Sequence, residues 1–179
     1  MTRRILLIAS LLALIIQPAF AASGKTFMGV GAHFAGKNFE FDKSTGASFV
    51  AGHHWNDSWA LVLETLFLDD FDISNPLTDD DVDVRQVAAL LRWYPVTTSR
   101  ARAYISAGLG YLDIHVSDDG TADHGTLSRS DLCARGNMGI DWPLNETLSL
   151  EVELAGTAGI DDLSLVSFHD WNMKLLYTF

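Results

Sequence analysis

The chain has 179 residues, of which 48% are hydrophobic, and its formal net charge at pH 7 is −11. That length accommodates one domain, and the negative charge argues against a nucleic-acid partner. The single cysteine, Cys133, excludes a disulfide within the chain and a zinc–thiolate cluster. The composition therefore predicts a one-domain protein that no internal disulfide stabilises.

The N-terminal residues 1–21 have the pattern of a secretory signal peptide. Arg3 and Arg4 precede an apolar run, residues 5–16, and residues 19–21 (Ala-Phe-Ala) supply the small side chains of a cleavage site. The apolar run is too short to span a bilayer comfortably as a helix. Cleavage is expected to leave residues 22–179 as the mature domain and to change the formal net charge from −11 to −13, because two arginines and no acid are removed.

Eight segments of the mature chain alternate apolar and polar side chains with the period of two that is typical of β-strands. In one of them, Leu150 and Val152 alternate with Glu151 and Glu153. Most segments reach the ~9–11 residues that a tilted strand needs to cross a bilayer. The predicted strands are residues 25–35, 46–55, 59–68, 84–94, 102–116, 129–142, 147–157 and 163–179.

The connections between these strands alternate in length. Those after the first, third and fifth strands are long, those after the second, fourth and sixth are short, and the connection after the seventh, residues 159–162, is an exception. Long loops at one end and short turns at the other are typical of outer-membrane barrels. We therefore predict an all-β fold, an eight-stranded antiparallel up-and-down transmembrane β-barrel, whose apolar face contacts lipid and whose polar face lines the interior.

Aromatic residues form a second pattern, because they lie at the strand ends on the side of the short turns. An aromatic girdle at the lipid interface would require this placement. Termination of strands by aromatic residues is the simpler explanation, but it does not account for their position at one end of the barrel. The predicted girdle consists of Trp55, Trp59, Trp93, Trp142, Tyr177 and Phe179.

The polar face carries acids and bases together, which predicts an interior network of salt bridges. The interior of an eight-stranded barrel is just wide enough for side chains to fill it, and buried charges are costly unless they are paired. We expect Arg135, Glu151 and Glu153 to face one another across adjacent strands. Such a network acts either as a structural plug, which we favour, or as a gate that re-pairs to open a narrow conduit. The predicted network consists of Glu64, Arg92, Asp131, Arg135, Glu151, Glu153 and Lys174.

The chain resembles the small eight-stranded outer-membrane barrels of Gram-negative bacteria, the outer membrane protein A, X and W-like superfamily. Besides the features above, residues 92–95 (Arg-Trp-Tyr-Pro) through 107–111 (Ala-Gly-Leu-Gly-Tyr) are similar to a turn and strand of that family, and residues 175–179 form a terminal strand that ends in phenylalanine. The resemblance implies a location in the bacterial outer membrane. It also implies that Phe179 is a recognition signal for the barrel-assembly machinery.

The acidic loops offer a weak metal-binding hypothesis. Asp79, Asp80 and Asp81 carry oxygen ligands of the kind that calcium and magnesium prefer, but their spacing matches no calcium-binding loop. A solvated loop is the default expectation for such a run, so we predict no metal and no other cofactor. A divalent bridge from these aspartates to lipopolysaccharide phosphates stays a hypothesis.

These features predict a monomer in contact with outer-membrane lipid and lipopolysaccharide, with a structural or interaction role in the envelope. The first alternative is a narrow channel or a transporter of small hydrophobic molecules, as the W-like branch implies. The second is a lipid A-modifying enzyme, but a deacylase would need a His-x-Ser motif, and here Ser167 precedes His169 on the face assigned to lipid. A soluble lipocalin-like barrel would instead need the tryptophans inside.

Overall fold

Antiparallel strands make up almost all of the chain that the structure, a computed structural model, describes. The described residues are 24–36, 44–69, 81–98, 100–117, 127–164 and 166–179. The predicted signal peptide and the acidic run at residues 79–80 lie outside them. The strands are β1 (Thr26–Gly36), β2 (Ser44–Asn56), β3 (Trp59–Asp69), β4 (Asp81–Thr97), β5 (Arg102–Ser117), β6 (Leu127–Pro143), β7 (Leu148–Gly159) and β8 (Ser167–Thr178).

The strands close into a barrel. Each strand pairs antiparallel with its neighbour in sequence, and β1 pairs with β8, with Val30 opposite Leu175 at the middle of this seam. A closed sheet satisfies the backbone hydrogen bonds of its strands without an open edge, which is the condition for β-structure in lipid. Among the described residues, no helix is long and apolar enough to cross a membrane. The predicted eight-stranded up-and-down barrel is confirmed.

The apolar face of the sheet is outside. Leu109 is 62% exposed and Met138 is 57% exposed, whereas Arg92 and Glu151 are fully buried inside the barrel. A belt of exposed apolar side chains around the whole barrel far exceeds the apolar patches of soluble proteins. Lipid is the solvent that suits this surface, and a soluble barrel with its tryptophans inside is therefore excluded.

Most strand boundaries differ from the prediction by one or two residues, and the largest differences are at the starts of β4 and β8 and at the end of β4, which reaches Thr97 rather than residue 94. β4 begins at Asp81 rather than at residue 84, because the alternation continues through the acidic segment with Val82 buried in the interior. β8 begins at Ser167 rather than at residue 163, because Asp161–Leu163 forms a 3₁₀ turn that starts with a left-handed residue, Asp161, at φ 54°. The connection from β7 to β8 thus spans residues 160–166, and it is not the short exception that the sequence pattern indicates.

The middle of the interior is polar, and an apolar cluster lies on each side of it. The long-loop end holds an apolar cluster and the short-turn end holds another, so the interior is not polar along its whole length, as the prediction has it, although Asp141 is also buried near the short-turn end. On β3, Glu64 lies between Val62 of one cluster and Leu66 of the other. The cluster at the long-loop end consists of Ala35, Leu66, Leu68, Val82, Val84, Leu112, Ile114, Cys133, Leu163 and Phe168. The cluster at the short-turn end consists of Phe27, Val50, Ala60, Val62, Ala88, Leu90, Tyr94, Tyr104 and Leu176.

Candidate functional site

A group of ion-paired side chains, which we call the central network, lies between the two apolar clusters. Its members come from β1, β3, β4, β6, β7 and β8, and each points inward because it shares the phase of the polar face of its strand. No member is more than 2% exposed. The central network consists of His33, Glu64, Arg92, Arg135, Glu151, Glu153, Asp170 and Lys174.

Arg135 joins two carboxylates from strands that do not neighbour its own. Its Nε lies 3.0 Å from Glu64 Oε2 on β3, and its Nη1 lies 2.9 Å from Asp170 Oδ2 on β8. Nη1 also donates to Thr157 Oγ1 at 3.0 Å. Asp170 in turn lies 2.7 Å from Nδ1 of His33. These bonds span the barrel rather than one strand pair, and so they fix the distance between opposite walls.

Lys174 lies among three carboxylates. Its Nζ is 2.7 Å from Glu64 Oε1, 2.8 Å from Glu153 Oε1 and 3.5 Å from Glu151 Oε1. The stem of the lysine passes over Gly31 of β1, where an added Cβ would lie 2.6 Å from Lys174 Cγ. A side chain at position 31 would therefore displace the ammonium group, so the glycine is needed for the close approach.

Arg92 forms the edge of the central network toward the short-turn end. Its Nη1 lies 2.5 Å from Glu151 Oε2, and its guanidinium carbon lies 3.9 Å from the centre of the Tyr104 ring. The Tyr104 hydroxyl donates to Glu153 Oε2 at 2.8 Å. Arg92 therefore combines an ion pair with a cation–π contact, and it connects the charged layer to the apolar cluster below it.

The structure places Asp131 outside the central network. Asp131 is half-buried near the long-loop end, where its carboxylate accepts the amide hydrogens of Leu132 at 2.7 Å and Asp162 at 3.0 Å. It thereby fixes the 3₁₀ turn before β8. Asp131 belongs to the polar face of β6, but it lies near the rim of the barrel rather than at its middle. The alternation of side chains predicts the face of a residue and not its position along the barrel axis.

The prediction that Arg135, Glu151 and Glu153 face one another across adjacent strands is wrong. Across the β6–β7 pair, Arg135 stands opposite Thr157, and Glu151 stands opposite Asp141. The partners of Arg135 are set by the stagger of strands around the barrel, which no single hairpin reveals. The sequence prediction omitted Asp170 and His33, although both lie on the polar face of their strands.

A second ion pair closes the interior near the short-turn end. Arg102 pairs with the buried carboxylate of Asp141, and its guanidinium carbon lies 5.0 Å from the centre of the Tyr94 ring. Tyr94 in turn lies between the rings of His54, at 5.4 Å, and Tyr104, at 5.8 Å. These rings cover the central network from the short-turn end of the barrel.

The six predicted girdle residues all lie exposed on the outer surface, toward the short-turn end. Trp59 and Trp93 stand opposite each other on β3 and β4, with ring centres 6.2 Å apart, and the rings of Tyr177 and Phe179 stack at 6.1 Å. Their contact with the lipid interface stays a prediction. The residues that complete this set are Trp55 and Trp142.

The remaining candidate groups give no assembled site. Asp79 and Asp80 lie outside the described residues, and only the backbone of Asp81 is described. Within the described part of the chain, no group of three or more His, Cys, Asp and Glu side chains is arranged to hold a metal ion. Ser167 lies exposed, while Phe168 between it and His169 is fully buried in the interior.

A closed antiparallel barrel with an apolar exterior and an ion-paired interior is a transmembrane β-barrel. Residues 7–179 match the sequence profile of the outer membrane protein beta-barrel domain, and the chain belongs to that family. Membership implies the bacterial outer membrane as its location. The predicted resemblance to small Gram-negative outer-membrane barrels is thus confirmed.

Solved structures agree with this fold. The attachment invasion locus protein Ail of Yersinia pestis superposes with a TM-score of 0.61 at 16% identity, over 87% of this chain and 99% of Ail. The N-terminal barrel of OprF from Pseudomonas aeruginosa superposes with a TM-score of 0.61 at 16% identity, over 88% of this chain and 98% of the OprF chain. Neisserial surface protein A superposes with a TM-score of 0.65 at 10% identity, over 87% of this chain and 97% of its own chain. No curated protein shows significant sequence similarity, and identities this low show the fold alone.

Proposed function

We propose that this chain is a closed, non-conducting barrel with a structural or interaction role in the bacterial envelope. One observation carries the proposal: the central network fills the middle of the lumen, and an apolar cluster covers it on each side. An eight-stranded barrel has room only for its own interior side chains. A permanently open aqueous path has no space in such an interior.

The pairing within the central network supports a plug rather than a gate. A gate needs a second arrangement of partners that is nearly as stable as the first. Here Glu64 contacts Arg135 and Lys174, and Glu153 contacts Lys174 and Arg92, so each of these carboxylates already has two cations. Moving one cation would leave two carboxylates under-compensated at once, which disfavours a second state.

The purified barrel should give no single-channel conductance in a planar lipid bilayer, because ions would have to cross two apolar clusters. Heat-modifiable migration on a denaturing gel establishes beforehand that the sample is folded. Reproducible conductance steps from the folded wild type would contradict the proposal and favour the narrow-channel alternative. Steps that appear only in the Arg135→Ala variant would instead show that the central network is the barrier.

The proposal extends to assembly and partners. It includes cleavage of residues 1–21 on export, a monomeric barrel, contact with lipopolysaccharide, and recognition of Phe179 by the barrel-assembly machinery. Phe179 supports the last point, since it is 61% exposed at the end of β8, on the seam where the barrel closes. The proposed role has no catalytic step.

Replacing Phe179 by alanine should lower the amount of barrel recovered in the outer-membrane fraction of cells. The Phe179 side chain is mostly exposed, and the backbone bonds between Phe179 and Thr26 do not depend on it, so the purified variant should still refold in detergent. Tyr177→Ala, a change to the neighbouring exposed aromatic residue, is the matched control. Equal recovery of the wild type and Phe179→Ala would refute a role in recognition.

A further inference from the structure

Three neighbouring side chains on the inner wall each have a polar atom without a hydrogen-bond partner among the described residues. Arg92 on β4 stands opposite Ser106 on β5, and Ser106 stands opposite Asn137 on β6. All three point into the barrel, and none is more than 4% exposed. The atoms are Arg92 Nε, Ser106 Oγ and Asn137 Oδ1. A buried polar atom that makes no hydrogen bond is costly and rare, so this row of three needs a partner.

Existing contacts fix the orientation of two of these groups. Arg92 donates to Glu151 from Nη1 at 2.5 Å and from Nη2 at 3.3 Å, so Nε is the nitrogen that lacks an acceptor. The side-chain amide of Asn137 directs its Nδ2 toward Glu64 Oε2, at 3.5 Å. The reverse orientation would bring the amide oxygen against that carboxylate. Neither group can therefore satisfy its unpaired atom by rotating without losing a contact that it already makes.

The chemistry of the three atoms selects the partner. Ala155 stands opposite Asn137 on β7, and Gly108 is the next inward residue of β5; neither has a polar side chain. The partner has to accept from Arg92 Nε and donate to Asn137 Oδ1, while the hydroxyl of Ser106 can do either. The guanidinium of Arg92 would repel a metal cation, and the amide oxygen of Asn137 would repel an anion. Water, which donates and accepts, fits this set.

We propose that Arg92, Ser106 and Asn137 form a binding site for one structural water molecule. The water accepts the Nε hydrogen of Arg92 and donates one hydrogen to Asn137 Oδ1 and the other to Ser106 Oγ. Three hydrogen bonds are the usual number for a buried water. The water thereby links β4, β5 and β6 on the inner wall, and it completes the hydrogen bonding of the arginine that lies against the Tyr104 ring.

A crystal structure of the whole barrel, at a resolution that shows ordered water, tests the site directly. One electron-density peak should lie at hydrogen-bond distance, about 2.5–3.2 Å, from Arg92 Nε, Ser106 Oγ and Asn137 Oδ1. A crystal soaked in bromide should give no anomalous peak at this position. Ordered water elsewhere in the map but none at this site would overturn the proposal, and so would a bromide peak here.

Two variants of similar volume provide a second test, by urea unfolding in detergent. Ser106→Thr keeps the hydroxyl group, whereas Ser106→Val has a methyl group in its place, and overpacking affects both variants alike. If the hydroxyl bonds to water, the folding equilibrium constant of Ser106→Thr should be roughly fivefold larger, the usual effect of one hydrogen bond. Ser44→Thr and Ser44→Val calibrate this effect, because the buried Ser44 hydroxyl donates to the carbonyl of Asp69 at 2.7 Å. A Ser106→Val barrel as stable as Ser106→Thr would overturn the proposal, since an unpartnered buried hydroxyl carries a cost.

Discussion

Replacing Arg135 by alanine should destabilise the barrel by about 3–5 kcal/mol, the usual effect of removing one partner from a buried ion pair. Arg135 has partners on four other strands: Glu64 on β3, Gln86 on β4, Thr157 on β7 and Asp170 on β8. Its loss leaves two buried carboxylates with fewer cations and opens a cavity at the centre of the lumen. Urea unfolding in detergent or lipid, followed by intrinsic fluorescence and by heat-modifiable gel migration, measures the change.

Two further variants test whether this effect comes from the buried charge. Arg135→Lys keeps the charge but cannot reach Glu64 and Asp170 with separate nitrogens, so it should fall between the wild type and Arg135→Ala. Arg100→Ala removes an exposed arginine of the β4–β5 turn and should change stability by less than about 0.5 kcal/mol. If Arg135→Ala is as stable as Arg100→Ala, the ion pairs of Arg135 do not stabilise the barrel.

Replacing Leu109 by arginine should destabilise the barrel in lipid by about 2–4 kcal/mol, the cost of a cation near the bilayer midplane on the lipid-facing side of a barrel. Leu109 lies at the middle of β5 and is 62% exposed. In water, an exposed leucine would tolerate arginine with little change. Unfolding measured in lipid vesicles is therefore the appropriate experiment.

Val96→Arg is the depth control for this measurement. Val96 is also an exposed apolar residue, but it lies at the short-turn end of β4, where arginine is expected to cost only about 0–1 kcal/mol. The difference between the two variants reports depth in the bilayer rather than exposure. Equal and small effects at both positions would mean that lipid does not surround the middle of β5.

The strand number, the closure and the orientation of the faces could be predicted because they depend on local information. In β7, a period of two separates Leu150 and Val152 from Glu151 and Glu153, and the structure buries both glutamates in the interior. The alternation of long and short connections indicates the up-and-down order of the strands. Where the alternation is regular, the face of each side chain follows from sequence alone.

The partners within the lumen could not be predicted in this way. Whether Arg135 meets Glu153 or Asp170 depends on the stagger of distant strands, a property of the closed barrel. The apolar clusters were missed for another reason: Leu66, Phe67 and Leu68 form a continuous apolar run, which hides the inward phase of Leu66 and Leu68. In the same way, the acidic residues around Val82 suggested a loop where β4 continues.

The connection between β7 and β8 closes the lumen at the long-loop end. Leu163, in the 3₁₀ turn, is buried with Phe168 in the apolar cluster there, and the amide of Ile160 donates to the carbonyl of Leu132. Leu163 lies near the middle of this connection, which spans residues 160–166. A foreign peptide inserted into that connection is therefore expected to displace Leu163 and to expose the apolar cluster of the lumen at this end, so residues 160–166 are a poor site for insertions.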